Sequence, residues 1–278
     1  MQVRRLLVGT DLTERSAPAV VKGHELAHAN GARLVVCHVA PATTGSNPLF
    51  PQRHEDDVLS LAHLEREVAD AVSNQVTELT GRTPDDFDVI VDQGDDRAAA
   101  LAEQAVRTSA DLIVVAGDQG ENLDGVVGQC VALELARRSS CSILVTGESG
   151  GKGAVVAVLE DEIEAVPELV ASSLGVLGAT SAKTDAVVWV SDKNARASAL
   201  ADRVAAEVAR TGQAVETWFA DLDDTSILGR AAVDPSVGIV AVSAPLPSAF
   251  VRGTAGPLDD ILPEARCSIL LLRSAHVS

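Results

Sequence analysis

Short apolar runs alternate along this chain with longer stretches whose apolar positions recur every three or four residues, the pattern of strands covered by amphipathic helices. Residues 3–9 read as a strand ending in Gly-Thr-Asp, Ser16–Asn30 as a helix closed by Gly31, and Leu34–Val39 as a second strand. A polar, proline-containing stretch from Ala40 to about Gln52 then leads into a long helix, 55–80, with Val58, Leu61, Leu64, Val68 and Val72 at helical spacing. Its acidic start, Glu55-Asp56-Asp57, suits the positive end of a helix dipole. Asp88–Val91 reads as a strand, Arg97–Thr108 as a helix, Leu112–Ala116 as a strand, Leu123–Arg138 as a helix and Ile143–Thr146 as a strand. Strands this uniformly apolar are buried on both faces, so the expectation is α/β with a parallel sheet between two helical layers.

The pattern then repeats. Asp111-Leu112-Ile113-Val114-Val115-Ala116 leads to Cys141-Ser142-Ile143-Leu144-Val145, and Gly238-Ile239-Val240-Ala241-Val242 leads to Cys267-Ser268-Ile269-Leu270-Leu271. Ile113 to Ile239 and Cys141 to Cys267 are both steps of 126 residues, far beyond the 20 to 50 residues of solenoid repeats. A whole domain is therefore expected twice, as residues 1–147 and 154–278, with the glycine-rich segment Gly147–Gly153 as linker. Strands of the second copy are expected at Val155–Leu159, Val187–Val190, Val215–Phe219, Ile239–Val242 and Ile269–Leu272, and helices near 163–178, 195–211 and 225–233.

Composition narrows the partners. A net charge of −18 repels phosphate backbones and anionic lipid, which argues against nucleic acid and membrane surfaces. With two Trp, four Phe and no Tyr there are few platforms for base stacking. No apolar run approaches the roughly 18 residues needed to cross a bilayer, and Met1–Ser16 lacks a signal peptide's apolar centre, so a cytoplasmic location is expected. Four lysines (Lys22, Lys152, Lys183, Lys193) leave 18 of the 22 cationic residues as arginine, a bias shared by GC-rich coding and by saline cytoplasms. Cys37, Cys130, Cys141 and Cys267 show neither CxxC nor metal-ligand spacing and read as reduced structural residues.

Taken in order, Leu6-Leu7-Val8-Gly9-Thr10-Asp11, Glu25-Leu26-Ala27 with Gly31-Ala32, Cys37-His38-Val39, Ala110–Val115, Gly117-Asp118-Gln119-Gly120 and Cys141–Val145 resemble the universal stress protein domain. The likeness covers residues 3–146 and, more weakly, 154–273. It implies a five-stranded doubly wound fold of the adenine nucleotide alpha hydrolase type in each copy, an adenine nucleotide such as AMP or ATP as ligand, and pairing through the last strand. The two Cys-Ser-Ile-Leu blocks would then form an intramolecular pseudo-dimer, with a homodimer of the chain left open. In open α/β sheets ligands sit beyond the strand carboxyl ends where strand order reverses. The resemblance assigns that site to Thr10 and Asp11 for adenine or ribose, to Val39 for backbone contact with the base, and to the Gly117/Gly120 turn for backbone N–H groups near phosphate.

Nucleotide-binding members carry Gly-x2-Gly-x9-Gly-Ser/Thr. Here Gln129-Cys130 aligns with the final pair and offers no hydroxyl, Glu121 and Asp124 add negative charge, and no Lys or Arg occurs from 108 to 136. Nucleotide binding in the first copy is thus expected to be weak and to favour AMP or adenosine over ATP. In the second copy Glu160 replaces the aspartate, Ser243-Ala244-Pro245-Leu246 replaces Gly-x2-Gly, and Ala255-Gly256 takes the Gly-Ser place, with Gly253-Thr254 nearby. That copy is expected to bind no nucleotide. Asp11 also suits a helix cap, given Thr13 and Ser16, while Cys130 and His38 suit buried, satisfied residues better than reactive ones.

One motif competes. His24-Glu25-Leu26-Ala27-His28 has the H-E-x-x-H spacing that places two zinc ligands on one helix face with a glutamate as base. Its extended form needs a third histidine where Leu34 stands, within a strand, so a zinc hydrolase is a remote alternative. No Gly-x-Ser-x-Gly elbow occurs either. The expectation is a non-catalytic stress-response binding or regulatory protein; a ligand-free interaction scaffold, with both nucleotide sites degenerate, is the alternative.

Overall fold

The structure is a computed structural model describing residues 3–41, 55–117, 131–148, 153–158, 186–191, 215–220, 225–243 and 265–272, with isolated positions between the later segments. Among the described residues the first elements in chain order are β1 (Arg5–Thr10), α1 (Ala17–Asn30), β2 (Arg33–Ala40), α2 (Glu55–Thr80), β3 (Phe87–Gln93), α3 (Arg97–Thr108), β4 (Leu112–Ala116), α4 (Val131–Arg138) and β5 (Ser142–Thr146). Then come β6 (Gly153–Val158), β7 (Ala186–Ser191), β8 (Val215–Ala220), α5 (Thr225–Val233), β9 (Val237–Ser243) and β10 (Ser268–Leu272). The expected first part of the helix before Val131, the helix at 163–178 and most of that at 195–211 fall outside the described residues.

Local signals set the helix ends. Pro18 opens α1, and Gly31 closes it with φ of 61°, donating to the carbonyls of Ala27 and His28 while Ala32 N–H reaches Ala27 O at 2.8 Å. That is the paired bonding of a left-handed C-terminal cap. Asp96 caps α3, its carboxylate accepting from Ala99 N–H at 3.0 Å. In α2 the buried stripe runs through Val72 and Val76, whereas Leu64 is 44% exposed, contrary to the apolar face expected there.

Alternation along the strands divides the core between the two sheet faces. Leu6, Val8, Leu34 and Val36 pack with Ala19, Val20 and Leu26 of α1 and Val72 and Val76 of α2. Leu7, Val35, Cys37 and Val39 pack on the other face with Leu101 and Ala105 of α3 and Leu135 and Ala136 of α4. Side chains one residue apart point to opposite faces, so uniformly apolar strands require cover on both sides. α1 lies very close to the sheet: a Cβ added at Gly23 would fall 2.3 Å from Val8 Cγ2.

The strands form one sheet of order β3-β2-β1-β4-β5-β10-β9-β6-β7-β8 rather than two separate sheets. Every pairing is parallel except β5 with β10, which run antiparallel with Ile143 opposite Leu271, Leu144 opposite Leu270 and Val145 opposite Ile269. On either side of this seam the strand orders mirror each other. The two Cys-Ser-Ile-Leu blocks thus lead into neighbouring strands, as the resemblance implied. Their six facing apolar residues are all 5% exposed or less, and burying each contributes about 1.5–3 kcal/mol at most. Gly147 belongs to this seam, because a Cβ there would lie 2.3 Å from the carbonyl oxygens of Arg266 and Cys267. It was expected to begin the linker; instead its missing side chain admits the partner strand, and its N–H donates to Ser268 Oγ at 3.2 Å. Linker positions 149–152 are outside the described residues.

Candidate functional site

β1 lies between β2 and β4, and the chain leaves β1 toward β2 through α1 but enters β4 from α3 on the opposite face. At such a reversal the loops beyond the strand carboxyl ends diverge and leave a crevice. A cleft of about 300 Å³ opens there, lined by Gly9, Thr10, Asp11, Arg15 and Ser16 from β1 and its loop and by Cys37 and Val39 from β2. Arg97 and Leu101 of α3, Val115 to Gly117 of β4, and Val131 and Ala132 of α4 complete the wall. Of the residues assigned from sequence, Thr10, Asp11, Val39 and Gly117 meet in this cleft; Gly120, Gln129 and Cys130 lie outside the described residues, as do Glu121 and Asp124.

The loop after β1 is held by its own side chains. Thr10 Oγ1 donates to Gln75 Oε1 at 2.7 Å, lies 2.9 Å from Ser16 Oγ, and accepts from Leu12 N–H at 3.1 Å. Ser16 Oγ also reaches Thr13 O at 2.9 Å. Leu12 adopts φ of 65°, a left-handed conformation rare for a bulky residue, and packs against the core. Thr10 therefore organises the site, its hydroxyl being engaged within the protein. Asp11 Oδ1 accepts from Thr13 N–H at 3.0 Å and Thr13 Oγ1 at 2.7 Å, so the expected capping role is present. Burial raises the Asp11 pKa, but the bonds from Thr13 and Ser16 and the charge of Arg97 outweigh it and hold the carboxyl below its ordinary value.

Gly117 corrects one expectation. Its N–H donates to Thr146 O at 3.0 Å, so it cannot also point at a phosphate. The residue supplies close approach instead, since a Cβ would sit 2.9 Å from that same carbonyl. Val39 is 6% exposed and stands past Thr10–His38, the last register pair joining β1 to β2. His38 is half-buried and satisfied, its Nδ1 lying 3.0 Å from Thr10 O. Cys37 is buried, and burial with the charge of Asp92 pushes its thiol up to about 12.

Nothing in the sequence around Arg15 or Arg97 marks them as site residues, and the stretch 108–136 carries no cation. Both are exposed and line the cleft. The one available signal was position: Arg97 opens the helix after the third strand, on the same sheet edge as Asp11.

The H-E-x-x-H residues are otherwise engaged. Arg82 Nε donates to His24 Nε2 at 2.9 Å, Arg82 Nη2 lies 2.9 Å from His28 Nδ1, and the imidazoles stack with centroids 6.2 Å apart. A guanidinium thus bonds to the nitrogens a metal would use. Glu25 pairs with Lys22 at 3.1 Å and Leu34 is 4% exposed in the core. Burial, then Arg82 and His28, lower the His24 pKa, with Glu25 opposing. Among the described residues no group of three His, Cys, Asp or Glu side chains could hold a metal ion.

The universal stress protein family model matches residues 2–147. The chain belongs to that family. Among solved structures, it is similar in fold to a universal stress protein from Archaeoglobus fulgidus DSM 4304, with TM-score 0.68, 9% identity, and coverage of 100% of this chain and 98% of that one. A putative universal stress protein from Pseudomonas aeruginosa UCBPP-PA14 gives TM-score 0.57 and 12% identity over 98% of this chain and 93% of that one. A functionally unknown protein from Pseudomonas aeruginosa PAO1 gives TM-score 0.57 and 13% identity over 98% and 92%. No curated protein matches the sequence. At such identities the structural likeness speaks for the fold. No helix among the described residues is long and apolar enough to cross a membrane.

Proposed function

We propose that this universal stress protein is a non-catalytic stress-response protein of the cytoplasm whose first copy, residues 1–147, binds an adenine nucleotide in the cleft beyond β1, β2 and β4. The observation that carries the reading is the convergence of Thr10, Asp11, Val39 and Gly117, from three strand ends, on one cleft of about 300 Å³. That volume is at the lower end of ligand sites. Its wall joins apolar Val39, Leu101, Val115 and Val131 to charged Asp11, Arg15 and Arg97, a mixture suited to a flat base with a polar, anionic tail.

Binding without turnover is favoured by the chemistry of the lining groups. Asp11 is held ionised by Thr13 and Ser16, and Cys37 stays protonated because it is buried. Among the described lining residues, neither is poised as an acid, base or nucleophile near neutral pH. The second copy, residues 154–278, serves as the intramolecular partner, and the antiparallel β5–β10 seam supports that pseudo-dimer reading.

A thermal-shift titration of the full chain with ATP, ADP, AMP, adenosine and a non-nucleotide control tests the proposal. A ligand that binds only the folded chain stabilises it by about 2.7 kcal/mol at a hundredfold excess over Kd. A shift with adenosine or AMP that Asp11→Ala removes is expected. No shift with any nucleotide at millimolar concentration refutes the site, and binding that survives Asp11→Ala but is lost on altering residues 243–256 moves it to the other copy.

A further inference from the structure

The described lining of the cleft is opposite in charge to the chain as a whole. A protein of net charge −18 lines this one cavity with two guanidiniums, Arg15 and Arg97, against one described carboxylate, Asp11. Asp11 already accepts two hydrogen bonds from Thr13, while neither arginine makes a hydrogen bond or ion pair with any described residue. By contrast, Arg33, Arg82, Arg107, Arg137 and Arg138 are all engaged by side chains. Exposed guanidiniums that line a cavity and make no hydrogen bond or ion pair among the described residues are poised for an anion that arrives with the ligand, and a guanidinium fork matches phosphate oxygens in pairs.

The two arginines also come from different elements. Arg15 lies in the turn before α1 and Arg97 is the first residue of α3, 82 positions further along. Arg97 is near enough to Asp11 for its charge to help lower the Asp11 pKa. Thus a ribose-sized group beside Asp11 would carry its 5′ substituent among positive charges supplied by side chains, at a site where Gly117 has no N–H to give.

We infer that Arg97, assisted by Arg15, is the phosphate-selecting residue of this site and makes it discriminate in favour of a nucleoside monophosphate over the uncharged nucleoside. The inference rests on the nucleotide reading above. Among the described lining residues, two guanidiniums against one carboxylate leave one positive charge, which suits a monophosphate better than a triphosphate.

Calorimetric titration of the full chain with AMP, adenosine and ATP, for wild type, Arg97→Gln, Arg97→Lys and Arg15→Gln, tests it. Wild type is expected to prefer AMP over adenosine by about tenfold or more, a factor of ten being about 1.4 kcal/mol, and to bind ATP no more tightly than AMP. Arg97→Gln should bring AMP down to the adenosine level while adenosine binding changes by less than about twofold, and Arg97→Lys should keep part of the preference, because a lysine retains the charge but not the fork. Raising the salt should weaken AMP binding in wild type and leave adenosine binding unaffected. If wild type binds AMP and adenosine equally, or Arg97→Gln keeps the preference, the inference is wrong and the nucleotide site stands. If wild type binds neither, both are wrong. Unchanged melting of each variant shows that the fold is intact, as expected for side chains on the surface.

Discussion

The close packing of α1 on β1 gives a sharp test of how the helix and the strand are fitted together. Replacing Gly23 with alanine adds one methyl whose carbon would stand 2.3 Å from Val8 Cγ2 and 3.8 Å from Leu34 Cδ1. Carbon atoms rest about 3.5–4.0 Å apart, so α1 must lift from β1 by over an ångström or Val8 must leave its rotamer. Val8 is fully buried and β-branched, hence stiff. Overpacking of this kind costs about 1–3 kcal/mol, and alanine returns about 1 kcal/mol through helix propensity, so Gly23→Ala should destabilise by up to about 2 kcal/mol. Val8→Ala alone should cost about 1.5–3 kcal/mol from lost burial and the cavity left behind. In the double variant the new methyl occupies the vacated space, the overpacking vanishes and the propensity gain remains. Urea unfolding of wild type, both single variants and the double should therefore show a favourable coupling of about 1–3 kcal/mol. Effects that add within about 0.5 kcal/mol would refute the contact between α1 and β1.

Burial of His24, with the Arg82 guanidinium beside it, predicts an acid-sensitive fold: the folded His24 pKa lies below its ordinary value, so its contribution is whole above about pH 6.5 and is lost as pH falls from there toward the folded value. Urea midpoints at pH 7.5 and 5.0 should fall further in wild type than in His24→Gln; equal falls would remove His24 from the cause, since Asp11, Asp86, Asp88 and Asp96, also lowered, lose stability in the more acidic carboxylate window. Burial pushes Cys37 up to about 12 and Cys267 up to about 11, so both should escape iodoacetamide at pH 8 until the chain is unfolded, as mapped by mass spectrometry. Native labelling of Cys37 at the rate of a free thiol would contradict its burial.

Periodicity located the described strands and helices to within about two residues, because side-chain direction follows backbone geometry over a few neighbours and leaves its period in the sequence. The 126-residue step showed that the last strand of the first copy recurs near the end of the chain; that Ile143–Val145 would pair with Ile269–Leu271 was implied only by the resemblance. Thr10, Asp11, Val39 and Gly117 were legible through the ordered resemblance. What Gly117 does was not, because the partner of its N–H is Thr146, on another strand. Nor did the chain order show that Arg97 would stand near Asp11 or that Arg82 would bind both His24 and His28. Coulombic and hydrogen-bond energies depend on distance in space. Residues more than 50 positions apart acquire that distance only when crossover helices and sheet order bring their ends together, so the elements could be read from sequence but the charge of the cleft was decided by the tertiary structure.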